Sequence, residues 1–217
     1  MIRFFRALPA LVFLIAASSY KAASAQRGTV SPGPQAQPSR RLPNVQIKTP
    51  DAKGINLSKY RGKEIIIVLF STECEDCLRT IAIVDKIQKD YGPRGLQVIG
   101  AAVNEGAPYS VAGWVQRYRP TFPIGFLDTP GLIKLAAVPK DTRPFVPIIM
   151  FVDSTGTVRV QYYGDSPVFK EQQEKAIRAI AGSLLNFQAQ QAAKAKAAAK
   201  AAEAAKSEVP PAKPEPN

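Results

Sequence analysis

Cys74 and Cys77, in the run Cys74-Glu75-Asp76-Cys77, are the only two cysteines of this 217-residue chain. They follow the apolar run Ile65-Ile66-Ile67-Val68-Leu69-Phe70, where the pattern of a buried strand gives way to helical spacing. A disulfide closing so small a loop removes little entropy from the unfolded chain, so it makes a poor staple. A pair that opens and closes is more useful: one thiolate attacks a disulfide sulfur and its neighbour resolves the product. The spacing points to redox exchange.

The chain contains no histidine. That excludes Ser-His-Asp and Cys-His catalysis, and with them zinc or copper sites built on imidazole. Two cysteines do not complete a typical structural zinc site, so no metal and no cofactor is expected. A Cu(I) ion held by two thiolates is a minor reading that the missing imidazole weighs against.

The elements that must position the pair are legible around it. Val45 to Lys48 alternates as an edge strand, and Asp51-Ala52-Lys53-Gly54 has turn chemistry before Ile55–Leu57. Glu64–Phe70 is a strand buried on both faces. Leu78, Ile81, Val84, Ile87 and Tyr91 then recur at helical spacing until Gly92-Pro93. Leu96–Val103 is the next strand, Val111 to Tyr118 a short helix, Phe122–Leu127 an extended segment, and Leu132–Ala137 a helical turn or two. Pro147–Asp153 and Val158–Tyr163 flank the turn Ser154-Thr155-Gly156, and Phe169 to Leu185 is an amphipathic helix with Ile177, Ile180 and Leu184 on one face. Alternating βα units followed by a hairpin imply an α/β fold, a mixed sheet with helices on both faces.

The ends of the chain differ in composition. Arg3 and Arg6, the apolar run Leu8–Ala17, and Ala23-Ser24-Ala25 form the three parts of a secretory signal peptide over residues 1–25. The apolar run is short for a membrane helix, which needs roughly 20 residues. An uncleaved anchor is the alternative. Residues 26–41 read as a Pro/Gly/Ser/Gln-rich linker and residues 42–185 as one globular domain. Residues 186–217 read as an Ala/Lys-rich helical extension running into a disordered Pro-rich end.

Export places the cysteines where disulfides persist. The location expected is therefore periplasmic or otherwise extracytoplasmic. The whole chain carries a formal charge of +12; removing the leader takes away Arg3, Arg6 and Lys21 and leaves +9. A weak attraction to anionic envelope surfaces follows, and no nucleic acid partner is expected from basic residues so scattered.

Phe70 to Cys77 after a buried strand resembles the active-site turn of thioredoxin-like proteins. Phe145-Val146-Pro147-Ile148-Ile149-Met150-Phe151-Val152-Asp153 resembles the segment in which that superfamily carries a cis-proline before an inner strand. Leu42-Pro43-Asn44 to Gly62-Lys63 is similar to the N-terminal β-hairpin of exported TlpA/ResA-like, AhpC/TSA-related redoxins, as is Tyr118 to Asp128 to a further segment. The resemblance spans Leu42 to Leu185. It implies a thioredoxin-like three-layer sandwich and a thiol–disulfide oxidoreductase acting on cysteine-containing envelope proteins, with an upstream electron donor or acceptor. In that frame Cys74 is the nucleophile at a helix N-terminus and Cys77 the resolving thiol. Val146 and a cis-bonded Pro147 support the substrate.

Departures from the family pattern are specific. Glu73 stands where a tryptophan is usual, and Asp76 where a proline is common. Thr80 and Val68 occupy the two positions at which a carboxylate is familiar. Glu73, Glu75 and Asp76 crowd negative charge around Cys74, which opposes the helix dipole and disfavours the thiolate. The alternative is that they are solvated helix-start acids. The expectation is a couple leaning towards reduction or isomerisation. Two rivals stay open. A peroxiredoxin would show Pro and Thr where Ile67 and Ser71 stand here, and a non-catalytic binding module would keep the disulfide locked.

Overall fold

The computed structural model describes residues 39–139, 144–167 and 171–207. The expected signal peptide, most of the expected linker, the expected helix start at Phe169 and the Pro-rich end from residue 208 lie outside the described residues. The order is β1 (Arg40–Arg41), β2 (Gln46–Ile47), β3 (Ile55–Asn56), β4 (Glu64–Phe70), α1 (Glu75–Tyr91), β5 (Leu96–Ala102), α2 (Ala107–Tyr118), β6 (Ile124–Phe126), α3 (Thr129–Ala136), β7 (Ile148–Val152), β8 (Thr157–Tyr162) and α4 (Gln173–Ser207). Two 3-10 turns, Leu57–Tyr60 and Gly92–Arg94, complete it.

β4 is the axis of the molecule. All seven of its residues are buried, as its unbroken apolar run demands. It pairs in parallel with β5 and antiparallel with β7, inside a six-stranded mixed sheet of order β1-β8-β7-β4-β5-β6. The strand pleat sends alternate side chains to opposite layers. Ile66, Val68 and Phe70 join a core with Ile81, Val84 and Ile87 of α1, Val111 and Trp114 of α2, and Ile177 and Leu185 of α4. Ile65, Ile67 and Leu69 join the other core, with Leu132 and Leu135 of α3 and with Ile47 and Ile55 of the hairpin. The fold is thus a thioredoxin-like sandwich with helices on both faces of a mixed sheet.

β2 and β3 form a separate antiparallel hairpin rather than an edge of the main sheet. It docks through backbone: Lys48 N–H donates to Phe126 O at 3.0 Å and Phe126 N–H to Lys48 O at 2.8 Å. This approach requires Gly125, since a Cβ there would lie 2.2 Å from Lys48 O. β6 is short but properly paired, with Gly100, Ala101 and Ala102 opposite Ile124, Gly125 and Phe126.

One boundary differs from expectation. Arg40 and Arg41, within the expected linker, pair with Val158 and Thr157 as the edge strand β1. A partly buried polar network holds it there: Arg40 Nη2 donates to Leu135 O at 2.9 Å and to Gln161 Oε1 at 2.8 Å. A charged dipeptide offers no strand pattern to read. The last helix α4 starts at Gln173 and continues unbroken to Ser207, with Ile177, Ala181 and Leu185 buried and Phe187 to Glu203 largely exposed. Alanine and lysine sustain helix there without a core to cover. Among the described residues no helix is long and apolar enough to cross a membrane.

Candidate active site

The chain leaves β4 at Phe70, turns through Ser71–Glu73, and enters α1 with Cys74 as the N-cap residue. Cys74 has the extended backbone of a cap (φ −97°, ψ 116°), and its Sγ accepts the N–H of Cys77 at 3.1 Å. That N–H is one of the four a helix start leaves unpaired. Cys74 and Cys77 form a disulfide with their Cα atoms 5.2 Å apart. The two thiols differ in access: Cys77 is 1% exposed within the α1-side core, whereas Cys74 is half-buried at its margin.

Side chains from the neighbouring strand's exit brace this turn. Thr72 N–H donates to Asn104 Oδ1 at 3.1 Å, and Asn104 Nδ2 returns a bond to Thr72 Oγ1 at 3.0 Å. Thr72 Oγ1 also meets Ser110 Oγ at 2.9 Å. Sequence reasoning did not find Asn104 and Ser110. The available signal was topological, since Ala102 pairs with Phe70 and whatever follows β5 must therefore flank the cysteine turn.

The Val146–Pro147 bond is cis. The antiparallel ladder that pairs Leu69 with Ile148 sets Pro147 beside Phe70, at the end of β4 from which the cysteine turn departs. Val146 and Cys74 pack against the same apolar core. Behind the segment, Gly164 N–H donates to Phe145 O at 3.1 Å. A Cβ on Gly164 would fall 2.4 Å from Val146 O and 3.0 Å from Pro147 N, so only glycine lets the chain approach this closely. Gly164 was another residue that local pattern did not single out.

The acids divide by position. Glu73, Glu75 and Asp76 are all exposed, with Asp76 paired to Arg79 one helical turn on. Thr80 is fully buried; its hydroxyl donates to Asp76 O at 3.1 Å and accepts from Gln173 Nε2 of α4 at 2.6 Å. Val68 is fully buried in β4. The only buried carboxylate of β4 is Glu64, at the opposite end of the strand from Cys74. Burial pushes its pKa above the ordinary carboxylate value; Ser154 N–H, at 3.2 Å from Oε1, opposes that shift, and the nearby Asp153 charge adds to it.

The family model for AhpC/TSA proteins matches residues 38–161, more than half of the chain. The chain belongs to the AhpC/TSA family. The thiol-disulfide oxidoreductase ResA of Bacillus thuringiensis subsp. konkukian is 23% identical over 141 residues, covering 65% of this chain and 77% of that protein. ResA of Bacillus subtilis is 27% identical over 119 residues, covering 55% of this chain and 62% of its own length. A thioredoxin-family thiol:disulfide interchange protein from Chlorobium tepidum superposes with a TM-score of 0.56 at 22% identity, over 69% of this chain and 98% of its own. A secreted thiol-disulfide isomerase from Corynebacterium glutamicum does so at 0.56 and 15% identity, over 71% and 96%. At these identities the solved structures speak for the fold. The AhpC/TSA match, relatives named thiol-disulfide oxidoreductases, and a closed Cys74–Cys77 bridge together support a thiol–disulfide oxidoreductase of the ResA kind.

Proposed function

We propose that this AhpC/TSA protein is exported and exchanges its Cys74–Cys77 couple with cysteine-containing proteins of the cell envelope. The observation that carries this is the asymmetry of the pair: a half-buried sulfur on a helix N-cap, backed by a buried one a turn away. In the reduced protein the Cys77 N–H and the helix start stabilise the Cys74 thiolate. That thiolate attacks a substrate disulfide, forming a mixed disulfide and releasing the substrate's first sulfur as a thiolate, which takes up a proton. Cys77 then gives up its proton and attacks Cys74 Sγ. The substrate's second sulfur leaves as a thiol and the bridge re-forms, two electrons having passed to the substrate. Run backwards, the same steps oxidise a substrate dithiol.

Val146 and Pro147 supply extended backbone beside the sulfurs. Pro147 has no N–H to donate, so any pairing with substrate falls to its neighbours. Glu73, Glu75 and Asp76 tune the Cys74 charge, and the upstream electron donor or acceptor meets the same half-buried sulfur. Support for export comes from the leader pattern of residues 1–25, and the basic mature chain suits a weak attraction to anionic envelope surfaces.

Insulin reduction by wild type and Cys74→Ser tests the activity; equal rates would sink it. Peroxide consumption by the reduced protein would transfer the assignment to a peroxidase. Expression with the leader intact, followed by mass determination of the extracytoplasmic fraction, tests export. A chain starting at Gln26 is expected there, and full-length protein confined to the cytoplasm would overturn the location.

A further inference from the structure

Beside the cysteine turn lies a groove of about 470 Å³ that the exchange chemistry does not use. It runs between α1, the Pro147 segment and the first turn of α4. Its apolar lining is Ile83, Pro147 and Gly164. Its polar lining is rich in acceptors. Asp76, Glu171 and Glu174 contribute carboxylates. Gln173 spends its Nε2 on Thr80, which leaves its Oε1 as an acceptor.

Among the described residues, the two arginines beside this site are already paired. Arg79 pairs with Asp76, and Arg178 divides itself between Glu174 at 3.0 Å and Asp90 at 2.7 Å. Among the described residues, the Glu171 carboxylate has no ion-pair or side-chain hydrogen-bond partner. Apolar surface with acceptors around it suits a long side chain with an aliphatic stem and a cationic head. Pro147 and Asp76 place this lining next to Cys74, because one flanks the end of β4 and the other sits in the first turn of α1.

Resting on the proposed exchange at Cys74, we infer that this groove is a subsite for a lysine or arginine adjacent to the reactive cysteine of the substrate. Glu171 and Glu174 hold the cationic head, and Ile83, Pro147 and Gly164 carry the stem. The preferred partner is then a cysteine in a basic segment, although the chain that reads it is itself basic.

The test uses short peptides whose single cysteine is capped as a neutral 2-pyridyl disulfide and followed by Lys, Gln or Glu. The Cys74 thiolate attacks the peptide sulfur and expels pyridine-2-thiolate, whose absorbance as 2-thiopyridone is followed. Cys77 then displaces the peptide as a free thiol and closes the bridge. The Lys peptide is expected to react roughly three- to five-fold faster than the Gln peptide, the range of one partly exposed ion pair. The Glu peptide should be slower than both, and the spread should shrink as salt is raised. In the double variant Glu171→Gln/Glu174→Gln the ratio of Lys to Glu rates should fall close to one. Equal rates for all three peptides with wild type would overturn the subsite and leave the exchange reading intact. A preference that survives in the double variant would also overturn it, because the charge being read would then lie at Glu73, Glu75 or Asp76. Release no faster than by Cys74→Ser with every peptide would overturn the exchange reading itself.

Discussion

Cys74 draws its chemistry from two opposing local fields. The N–H of Cys77 points at its sulfur, and three exposed acids sit within three positions of it. Glu75→Gln/Asp76→Asn should move the Cys74 thiolate titration to lower pH and the couple towards stronger oxidation. Thiolate absorbance against pH checks this, and an unmoved midpoint would show the acids to be solvated bystanders. Cys77→Ala should accumulate a mixed disulfide with substrate, visible as an added mass that a reductant removes. Gly164 governs the facing segment. Gly164→Ala forces a methyl onto Val146 O, a clash on the order of 1–3 kcal/mol, which the Val146–Pro147 segment relieves by moving. Exchange with a protein disulfide should fall further than exchange with a small neutral one, which needs only the sulfur. The cysteine spacing, the helix cap and the proline were all legible along the chain. Asn104, Ser110 and Gly164 were not, because each acts on a residue at least 18 positions away, through a contact that only the strand pairing creates.

Helix α1 is held to α4 partly through Thr80, whose hydroxyl has Gln173 on one side and its own helix backbone on the other. Thr80→Val keeps the shape and removes the hydroxyl, leaving the Gln173 amide short of a partner. A loss of about 1 kcal/mol is expected by denaturant titration. At the far end of β4, Glu64 binds its proton more tightly folded than unfolded, because burial disfavours its charged form. Its contribution is therefore fully present below the ordinary carboxylate pKa and is lost as pH rises through the raised one. Glu64→Gln retains an acceptor for Ser154 N–H and removes the charge. It should raise Tm at pH 7, and the gap over wild type should close as the pH falls towards 4. A gap that widens in acid would reverse the reading. Both residues stood in the sequence as members of predicted elements, yet their environments come from residues 93 and 90 positions away.

Two cores share one sheet, and α4 packs into the α1-side core as far as Leu185. Beyond it, α4 keeps a bond from Gln188 Nε2 to Gly62 O at 2.7 Å, after which the side chains of residues 189–203 are exposed. Ending the chain after Gln188 should therefore change stability by less than about 0.5 kcal/mol, while helical circular dichroism falls with the residues removed. A large loss of stability would mean that the extension packs on something.

Local pattern in the chain was enough for the buried strand β4, the dithiol at its exit, the helix that follows, and the order of alternating elements. Each is written in neighbouring residues: an unbroken apolar run, a 3.6-residue period, a Gly-Pro stop. The tertiary structure alone decided that Arg40 and Arg41 close the sheet edge, that Thr80 answers to Gln173, and that Gly164 admits the Val146–Pro147 segment beside the cysteines. It also decided that Asp76, Glu171 and Glu174 line one groove. Their spacing along the chain carries no period, because what unites them is the packing of α4 and the residues just before it against α1.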